Sequence, residues 1–162
     1  KDTDAVLHGY LSVTPLTTVK TNHEAYKILK DIVIARRCEY PEVSYGMVEG
    51  IISGAMGIVP SASQKRVVTM PQITGDNYLQ ISNLPTLGGT ISVRHNDNRT
   101  SALLNNTASE ITWEAAFMGE YENILVNGTS VKAEKRTDAM GATISYSEVK
   151  LAKGEKACCC VE

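Results

Sequence analysis

The spacing of apolar residues separates a helical first third of the chain from a β-rich remainder. From residue 21 to residue 37, apolar side chains recur every three or four positions, as on one face of an amphipathic helix. These positions are Ala25, Ile28, Leu29, Ile32 and Val33. Thr21 and Glu24 give the T-x-x-E form of a capping box at the start of this segment. The pattern predicts a helix whose apolar face needs a partner.

A second helix is predicted to begin at Pro41, since proline is tolerated in a first turn, and to weaken after Gly54. Gly46, Gly50 and Gly54 recur every four residues and therefore share one helix face. Each glycine costs about 1 kcal/mol relative to alanine in a helix interior. A neighbouring backbone packed closely on this face would offset that cost. We therefore predict an N-terminal helical hairpin within residues 1–59.

After Pro60 the apolar residues alternate with a period of two, which is typical of strands with one buried face. The alternation predicts strands near residues 79–81, 91–93, 111–117, 124–126, 129–131 and 143–151. Asn127 and Gly128 tolerate positive φ, so they are expected to close a hairpin. The apolar phase shifts within the last strand, which predicts a bulge near Ser147 and Glu148.

These patterns predict an α+β protein by content, with the helical hairpin followed by an antiparallel β-sandwich over residues 60–155. Residues 156–162 are interpreted as a disordered, cysteine-rich tail. Residues 158–160 are consecutive cysteines and Cys38 lies far upstream, so the spacing gives no disulfide framework. It also lacks the ligand spacing of a zinc site.

The composition narrows the classes of partner. The 162 residues carry 16 Lys and Arg against 18 Asp and Glu, a formal charge of −2, and 43% of them are apolar. There is enough apolar material for a core but no basic stripe, so a nucleic-acid partner is not expected. The least polar stretch, residues 43–60, is interrupted by Glu49 and by glycines, so no membrane span is expected.

The histidine spacing and the first residue of the chain give two further expectations, one about cofactors and one about whether the chain is part of a longer protein. His8, His23 and His95 are scattered without metal-ligand spacing, so neither a metal ion nor a cofactor is predicted. The chain begins at Lys1 and shows no readable targeting signal, so we interpret it as a piece of something longer.

Four short segments resemble the C-terminal part of six-hairpin glycosidases. They are residues 40–44 (YPEVS), 49–52 (EGII), 56–60 (MGIVP) and 87–93 (LGGTISV). In that family an (α/α)6 barrel ends in a helix that leads into a β-sandwich. The resemblance implies that residues 1–59 correspond to the last barrel helices and residues 60–155 to the accessory sandwich. Most of the chain is covered by this correspondence.

The resemblance also implies partners for the chain. Ile28, Leu29, Ile32 and the glycine face would pack on barrel helices that precede this segment, so the expected partner is the N-terminal catalytic barrel of the same protein. In isolation the uncovered helix faces would favour self-association. The substrate of the parent enzyme would be an oligosaccharide or polysaccharide. The sequence leaves the compartment open, and the resemblance favours a secreted or periplasmic location.

The resemblance singles out Glu42 as the candidate general base, because related families place a glutamate before the final barrel helix. The alternative is that Glu42 is simply a first-turn helix charge. Inverting hydrolysis needs two carboxyl groups about 6.5–9.5 Å apart, and Glu49 lies about 10 Å from Glu42 along the helix axis. No second member is evident, so this chain alone is expected to hydrolyse nothing, although its parent is a suspected glycoside hydrolase.

The aromatic residues suggest where a sugar could stack. Trp113, the single tryptophan, shares a predicted strand face with Ile111 and Ala115, so we expect it in the core. Tyr78 and Tyr121 are the candidate carbohydrate-binding residues, since pyranose rings stack on exposed aromatic side chains.

Three hypotheses follow. The leading one is a non-catalytic accessory region of a glycoside hydrolase, and the second is an autonomous carbohydrate-binding or adhesive β-sandwich module. The third is an active enzyme built on Glu42 and a carboxylate from elsewhere in the chain, which would need two carboxyl groups facing one pocket.

Overall fold

The computed structural model describes residues 45–46, 48–73 and 78–162. The chain divides into two units, Lys1–Gly57 and Ile58–Glu162. The predicted helix over residues 21–37, with its apolar face, lies outside the described residues, as does Glu42.

The described part of the first unit is short and helical. Residues 45–46 and 48–49 are helical and lead into a π-helix, Gly50–Ala55. Gly46, Gly50 and Gly54 are all buried, which agrees with the shared glycine face predicted from their spacing. Among the described residues, no helix is long and apolar enough to cross a membrane.

Strands dominate the second unit. The described residues form β1 (Val59–Ser61), β2 (Arg66–Thr69), β3 (Tyr78–Thr86), β4 (Gly89–Asn96), β5 (Thr100–Asn106), β6 (Ile111–Met118), β7 (Asn123–Val126), β8 (Thr129–Lys132), β9 (Glu134–Thr137), β10 (Thr143–Leu151) and β11 (Lys156–Cys160). The order in the five-stranded sheet is β1-β2-β6-β10-β9, and in the six-stranded sheet β3-β4-β5-β11-β7-β8. Strand β5 contacts β6, and β10 contacts β7 and β11, so the two sheets pack face to face.

The core lies between the sheets and is built mainly from alternate residues of β2, β4, β5, β6, β10 and β11. Its largest fully buried apolar side chains are Trp113, Phe117, Ile91, Leu103, Ile111, Ile124 and Leu151. Trp113 is buried as predicted, and its Nε1 donates a hydrogen bond of 2.9 Å to Thr69 Oγ1 on β2. This bond satisfies the indole donor inside the apolar layer.

The predicted α+β class is wrong, because the described chain is of an all-β type. A helical hairpin is not shown. The described helical residues, 45–46 and 48–55, form only a short stretch, whose glycines disfavour a regular α-helix. The sheet is also not purely antiparallel. Strand β2 runs parallel to β6, with Val67 opposite Trp113, while the other described pairs are antiparallel.

The strands predicted from alternation are present as β3, β4, β6, β7, β8 and β10, and Asn127-Gly128 closes the β7–β8 hairpin. The predicted bulge in β10 is wrong, since its pairing with β6 is continuous from Ile144 to Leu151. Ser145 and Ser147 are buried small polar residues on the core face, which explains the shifted apolar phase without a bulge. The irregularity lies instead in β3, between Ile81 and Leu84.

The prediction of a disordered tail over residues 156–162 is also wrong for its strand portion. Residues Lys156–Cys160 form β11, which pairs with β5 on one side and with β7 on the other. Ala157 and Cys159 are buried, because a free cysteine behaves as a small apolar side chain. The segment that resembled a frayed end is therefore an interior strand.

Asn105 links the ends of the two sheets. Its side chain is fully buried, and Nδ2 donates hydrogen bonds to the Leu151 carbonyl of β10 (2.9 Å) and to the Ser109 carbonyl before β6 (3.0 Å). Its Oδ1 accepts from the Thr107 amide (2.9 Å) and the Thr107 hydroxyl (2.7 Å). One amide side chain thus satisfies polar groups of three segments.

We expect Asn105→Ala to lower the free energy of unfolding by about 3–5 kcal/mol, since each buried polar group left unpaired costs about 1–3 kcal/mol. Urea denaturation of the full chain measures the change. The matched control is Asn106→Ala, which removes an exposed neighbour and should stay within about 0.5 kcal/mol of the wild type. Equal losses for the two variants would contradict the role given to Asn105.

Candidate functional site

The exposed side of the six-stranded sheet carries the candidate site. Val93, Leu103 and Ala157 point into the core, so the residues between them point outward. We call this surface the outer face. It is formed by Tyr78, Gln80, Ser92, Arg94, Asn96, Thr100, Ala102, Leu104, Leu125, Lys156, Cys158 and Cys160. The surface mixes polar, cationic and small apolar side chains.

A shallow depression of about 210 Å³ lies on the outer face, lined by Gln80, Ser92, Val93, Arg94, Ala102, Leu104 and Lys156. We call it the cationic depression, because Arg94 and Lys156 are its charged residues. Ala102 and Leu104 sit on β5, between the strands that carry the two cations. The volume is below the roughly 300–1,000 Å³ of sites for drug-sized ligands. The depression suits a group of about one sugar ring rather than a large cofactor.

Tyr78 lies at the edge of this depression, on the outermost strand. Its side chain is 64% exposed, and the Arg94 guanidinium carbon lies 4.9 Å from the ring centroid. Arg94 Nε donates a hydrogen bond of 2.9 Å to Asn96 Oδ1. The cation–π contact and this hydrogen bond together orient the exposed ring and the guanidinium. A contact of this kind is worth about 0.5–1 kcal/mol at an exposed site.

Tyr121 occupies a different part of the surface. It is half-buried in the loop after β6 and lines a second depression of about 210 Å³ with Glu122, Asn123, Leu125, Ser130 and Glu162. Lys135 Nζ donates a 2.8 Å hydrogen bond to Glu122, which lowers the pKa of that carboxyl group. Tyr78 is on β3 and this depression is beside β7, about 19 Å away by strand spacing. The two tyrosines therefore do not form one stacking platform.

The three C-terminal cysteines are divided between the faces of β11. Cys159 is buried, and burial raises the pKa of its thiol to about 12, with a further contribution from the neighbouring cysteines. Cys158 and Cys160 are half-buried on the outer face, opposite Ala102 and Thr100 of β5. Burial also raises the pKa of the Cys160 thiol. Within the described ranges, no three His, Cys, Asp or Glu residues are grouped to hold a metal ion.

The five-stranded sheet carries a second polar cluster, centred on Glu114. This carboxylate is fully buried and forms ion pairs with both Arg66 and Arg136. Arg66 also pairs with Glu148 at 3.2 Å. Because Glu114 is held between two cations, it is committed to a structural ion-pair network and is a poor candidate for a catalytic acid or base.

The sequence identified Tyr78 but missed Arg94 and Lys156. Arg94 could have been found, since Ser92, Arg94 and Asn96 are the polar positions of an alternating strand. Lys156 could not, because its strand was taken for a tail. Glu42 lies outside the described residues, and Glu49, which is predicted to lie too far from Glu42 to act as a second catalytic carboxyl group, is exposed.

Comparison with known proteins adds no assignment. No protein-family model matches the chain, and no curated protein or solved structure is significantly similar to it.

The cysteines of β11 should differ in their rates of alkylation at pH 8. Because the Cys159 pKa lies about three pH units above its ordinary value of 9.0, its thiolate fraction is about a thousandfold lower. We expect iodoacetamide to modify Cys158 first, Cys160 more slowly and Cys159 only after denaturation, as read by fragmentation mass spectrometry. Rapid labelling of Cys159 in the native chain would contradict the buried position of that thiol.

We expect Glu114→Gln to destabilise the fold, because it leaves two arginines without their shared counter-charge. Breaking a buried ion pair costs about 3–5 kcal/mol, and partial exposure of both arginines reduces the expected loss to about 2–3 kcal/mol. Urea denaturation measures it. Glu148→Gln is the control, since this carboxylate is 47% exposed and should contribute less than about 0.5 kcal/mol. Similar losses for both variants would refute a special role for Glu114.

Proposed function

We propose that the chain is a non-catalytic accessory region of a carbohydrate-active glycoside hydrolase, and that its sandwich contacts saccharide through the outer face. The proposal draws on the resemblance to six-hairpin glycosidases and on the surface chemistry described above. The partner in this proposal is an N-terminal catalytic barrel of the same protein. Glu42 is the proposed general base of that enzyme, and this role comes only from the resemblance.

The observation that carries the proposal is the exposed Tyr78 ring, held by Arg94 beside a shallow depression. A pyranose presents a C–H face that packs on an aromatic ring, and its rim of hydroxyl groups needs hydrogen-bonding partners. Gln80 and Ser92 supply an amide and a hydroxyl within the same depression. An apolar contact surrounded by a few placed polar groups is the usual chemistry of a small-ligand site.

The second candidate, an autonomous carbohydrate-binding or adhesive module, is favoured by a different observation. Ile58–Glu162 is a compact unit, and its two sheets enclose a core of their own. In that case binding would persist without any catalytic partner. Both candidates place the saccharide on the outer face, and they differ in whether a barrel precedes this segment in the gene.

We expect Tyr78→Ala to weaken binding of the full chain to a recognised polysaccharide by about tenfold, since loss of an aromatic contact worth about 1.4 kcal/mol changes the affinity by that factor. Affinity electrophoresis against a panel of soluble polysaccharides measures the retardation. Tyr45→Ala is the matched control, because Tyr45 is 73% exposed but lies in the first unit.

Tyr78→Phe should keep most of the binding, because the ring remains while the hydroxyl is lost. If no polysaccharide of the panel retards the wild-type chain, the saccharide-binding proposal fails. If Tyr78→Ala and Tyr45→Ala bind as the wild type does, the outer face is not the binding surface.

A further inference from the structure

The charges of the cationic depression are not balanced by acidic residues within it. Its lining includes Arg94 and Lys156 but no aspartate or glutamate. Arg66, Lys135 and Arg136 each form ion pairs, whereas neither Arg94 nor Lys156 forms one with any residue that the structure describes. Two cations that share one depression without a counter-charge favour an anionic ligand.

The strand register places the two cations on opposite sides of the depression. Arg94 is on β4 and Lys156 on β11, with β5 between them, so their strands lie about 10 Å apart. Arg94 is level with Ala102 and Lys156 with Leu104, two residues further along β5. The floor between the cations is therefore formed by the apolar side chains of Ala102 and Leu104. A ligand ring can rest on this floor while its charged substituent reaches a cation.

The guanidinium group of Arg94 has hydrogen-bond donors available for an anionic group. Its Nε is occupied by Asn96, and its guanidinium carbon lies over the ring of Tyr78, 4.9 Å from the ring centroid. These contacts fix the plane, and the two Nη groups are not used by the Asn96 bond. A planar pair of N–H donors matches a carboxylate or a sulfate ester.

The nearest acidic residue in sequence does not neutralise Lys156. Glu155 precedes it, and its Oε2 accepts a 2.8 Å hydrogen bond from the Ala152 amide in the preceding turn. The formal charge of the whole chain is −2, so general attraction to polyanions is not expected. Binding of an anionic polymer would have to come from a local site.

We propose that the cationic depression selects anionic saccharides, those that carry a carboxylate or a sulfate ester on the ring. The inference rests on the proposed saccharide-binding function and adds the class of ligand. Arg94 binds the anionic substituent with its Nη groups, and Lys156 contributes the second positive charge. The apolar floor packs against the ring that carries this substituent, and Tyr78, two strands away on β3, packs against a neighbouring ring of the same polymer.

The test compares four polymers by affinity electrophoresis and calorimetry on the full chain. Polygalacturonate carries carboxylates, dextran sulfate carries sulfate esters, and methyl-esterified polygalacturonate and dextran are their neutral counterparts. We expect at least tenfold tighter binding to one of the charged polymers than to its neutral counterpart. The charged polymer that binds identifies the group recognised, and its binding should weaken as NaCl is raised.

Three substitutions locate the site. Lys156→Gln leaves the Tyr78–Arg94 contact in place and should weaken binding of the charged polymer about threefold to tenfold. Arg94→Lys keeps the charge but removes the planar donors, and it should weaken binding by a similar factor. Lys150→Gln is the control, because it changes the net charge equally but lies on β10 of the other sheet. It should leave the affinity unchanged, and thermal melts should show all three variants folded.

The outcomes separate the two levels of the proposal. If a neutral polymer binds as tightly as its charged counterpart and Tyr78→Ala weakens both, saccharide binding stands and selection for anionic saccharides is overturned. If Lys150→Gln weakens binding as much as Lys156→Gln does, the attraction is general and the site is overturned. If none of the four polymers binds, selection for anionic saccharides is overturned. Saccharide binding in general is then tested by the wider panel of polysaccharides described above.

Discussion

The six-stranded sheet depends on the insertion of β11 between β5 and β7. The meander of β3, β4 and β5 is joined to the β7–β8 hairpin only through this five-residue strand. The Asn127 amide donates to the Cys158 carbonyl (2.8 Å), and the Cys158 amide donates to Asn127 Oδ1 (2.9 Å), so the hairpin turn is also tied to β11. Without β11, both the sheet and the cationic depression on its outer face would lose their continuity.

Small side chains make this insertion possible. Ala157 and Cys159 face the core beside Leu103 and Ser101 of β5. An interior strand between two packed sheets has to match the space left by its neighbours, since protein interiors are close-packed. Larger side chains at these two positions would separate the sheets, and charged ones would be buried without partners. Residues 156–160 can therefore form a central strand because the core-facing side chains of Ala157 and Cys159 are small enough to fit between the sheets.

The parts of the fold that could be predicted from the sequence are those in which the residues of a single strand or turn show the pattern, such as alternating apolar positions. Strand β6 alternates Ile111, Trp113 and Phe117 on the core side, and Gly88 adopts a φ of +73° in the turn between β3 and β4, a conformation that glycine tolerates. At Gly89 an added Cβ would lie 2.5 Å from the Asn106 carbonyl oxygen, so the close approach of β5 requires glycine. The alternation of β6 and the turn at Gly88 are local and therefore visible in the sequence, whereas the need for glycine at position 89 comes from another strand.

The remaining features depend on residues that are distant in the chain. The parallel pairing of β2 with β6 joins Val67 to Trp113, and nothing in either segment alone specifies the direction. The candidate site has the same character. Tyr78 and Arg94 come from adjacent strands and Lys156 from near the end of the chain, so their proximity appears only when the strand order is known. Single-strand patterns identify such residues as exposed and polar, but not as neighbours.

The distribution of charged residues shows why the net charge does not predict the charge of the proposed ligand. On the five-stranded sheet, Arg66 and Arg136 stabilise the buried Glu114, and their charge is balanced within the protein. On the outer face of the other sheet, Arg94 contacts an aromatic ring and an amide, which leave its charge unbalanced. A near-neutral chain can therefore present a local positive surface. The net charge sums all charged residues, so it does not show which cations are ion-paired and which are not. The proposed preference for an anionic ligand therefore depends on this local difference rather than on the net charge.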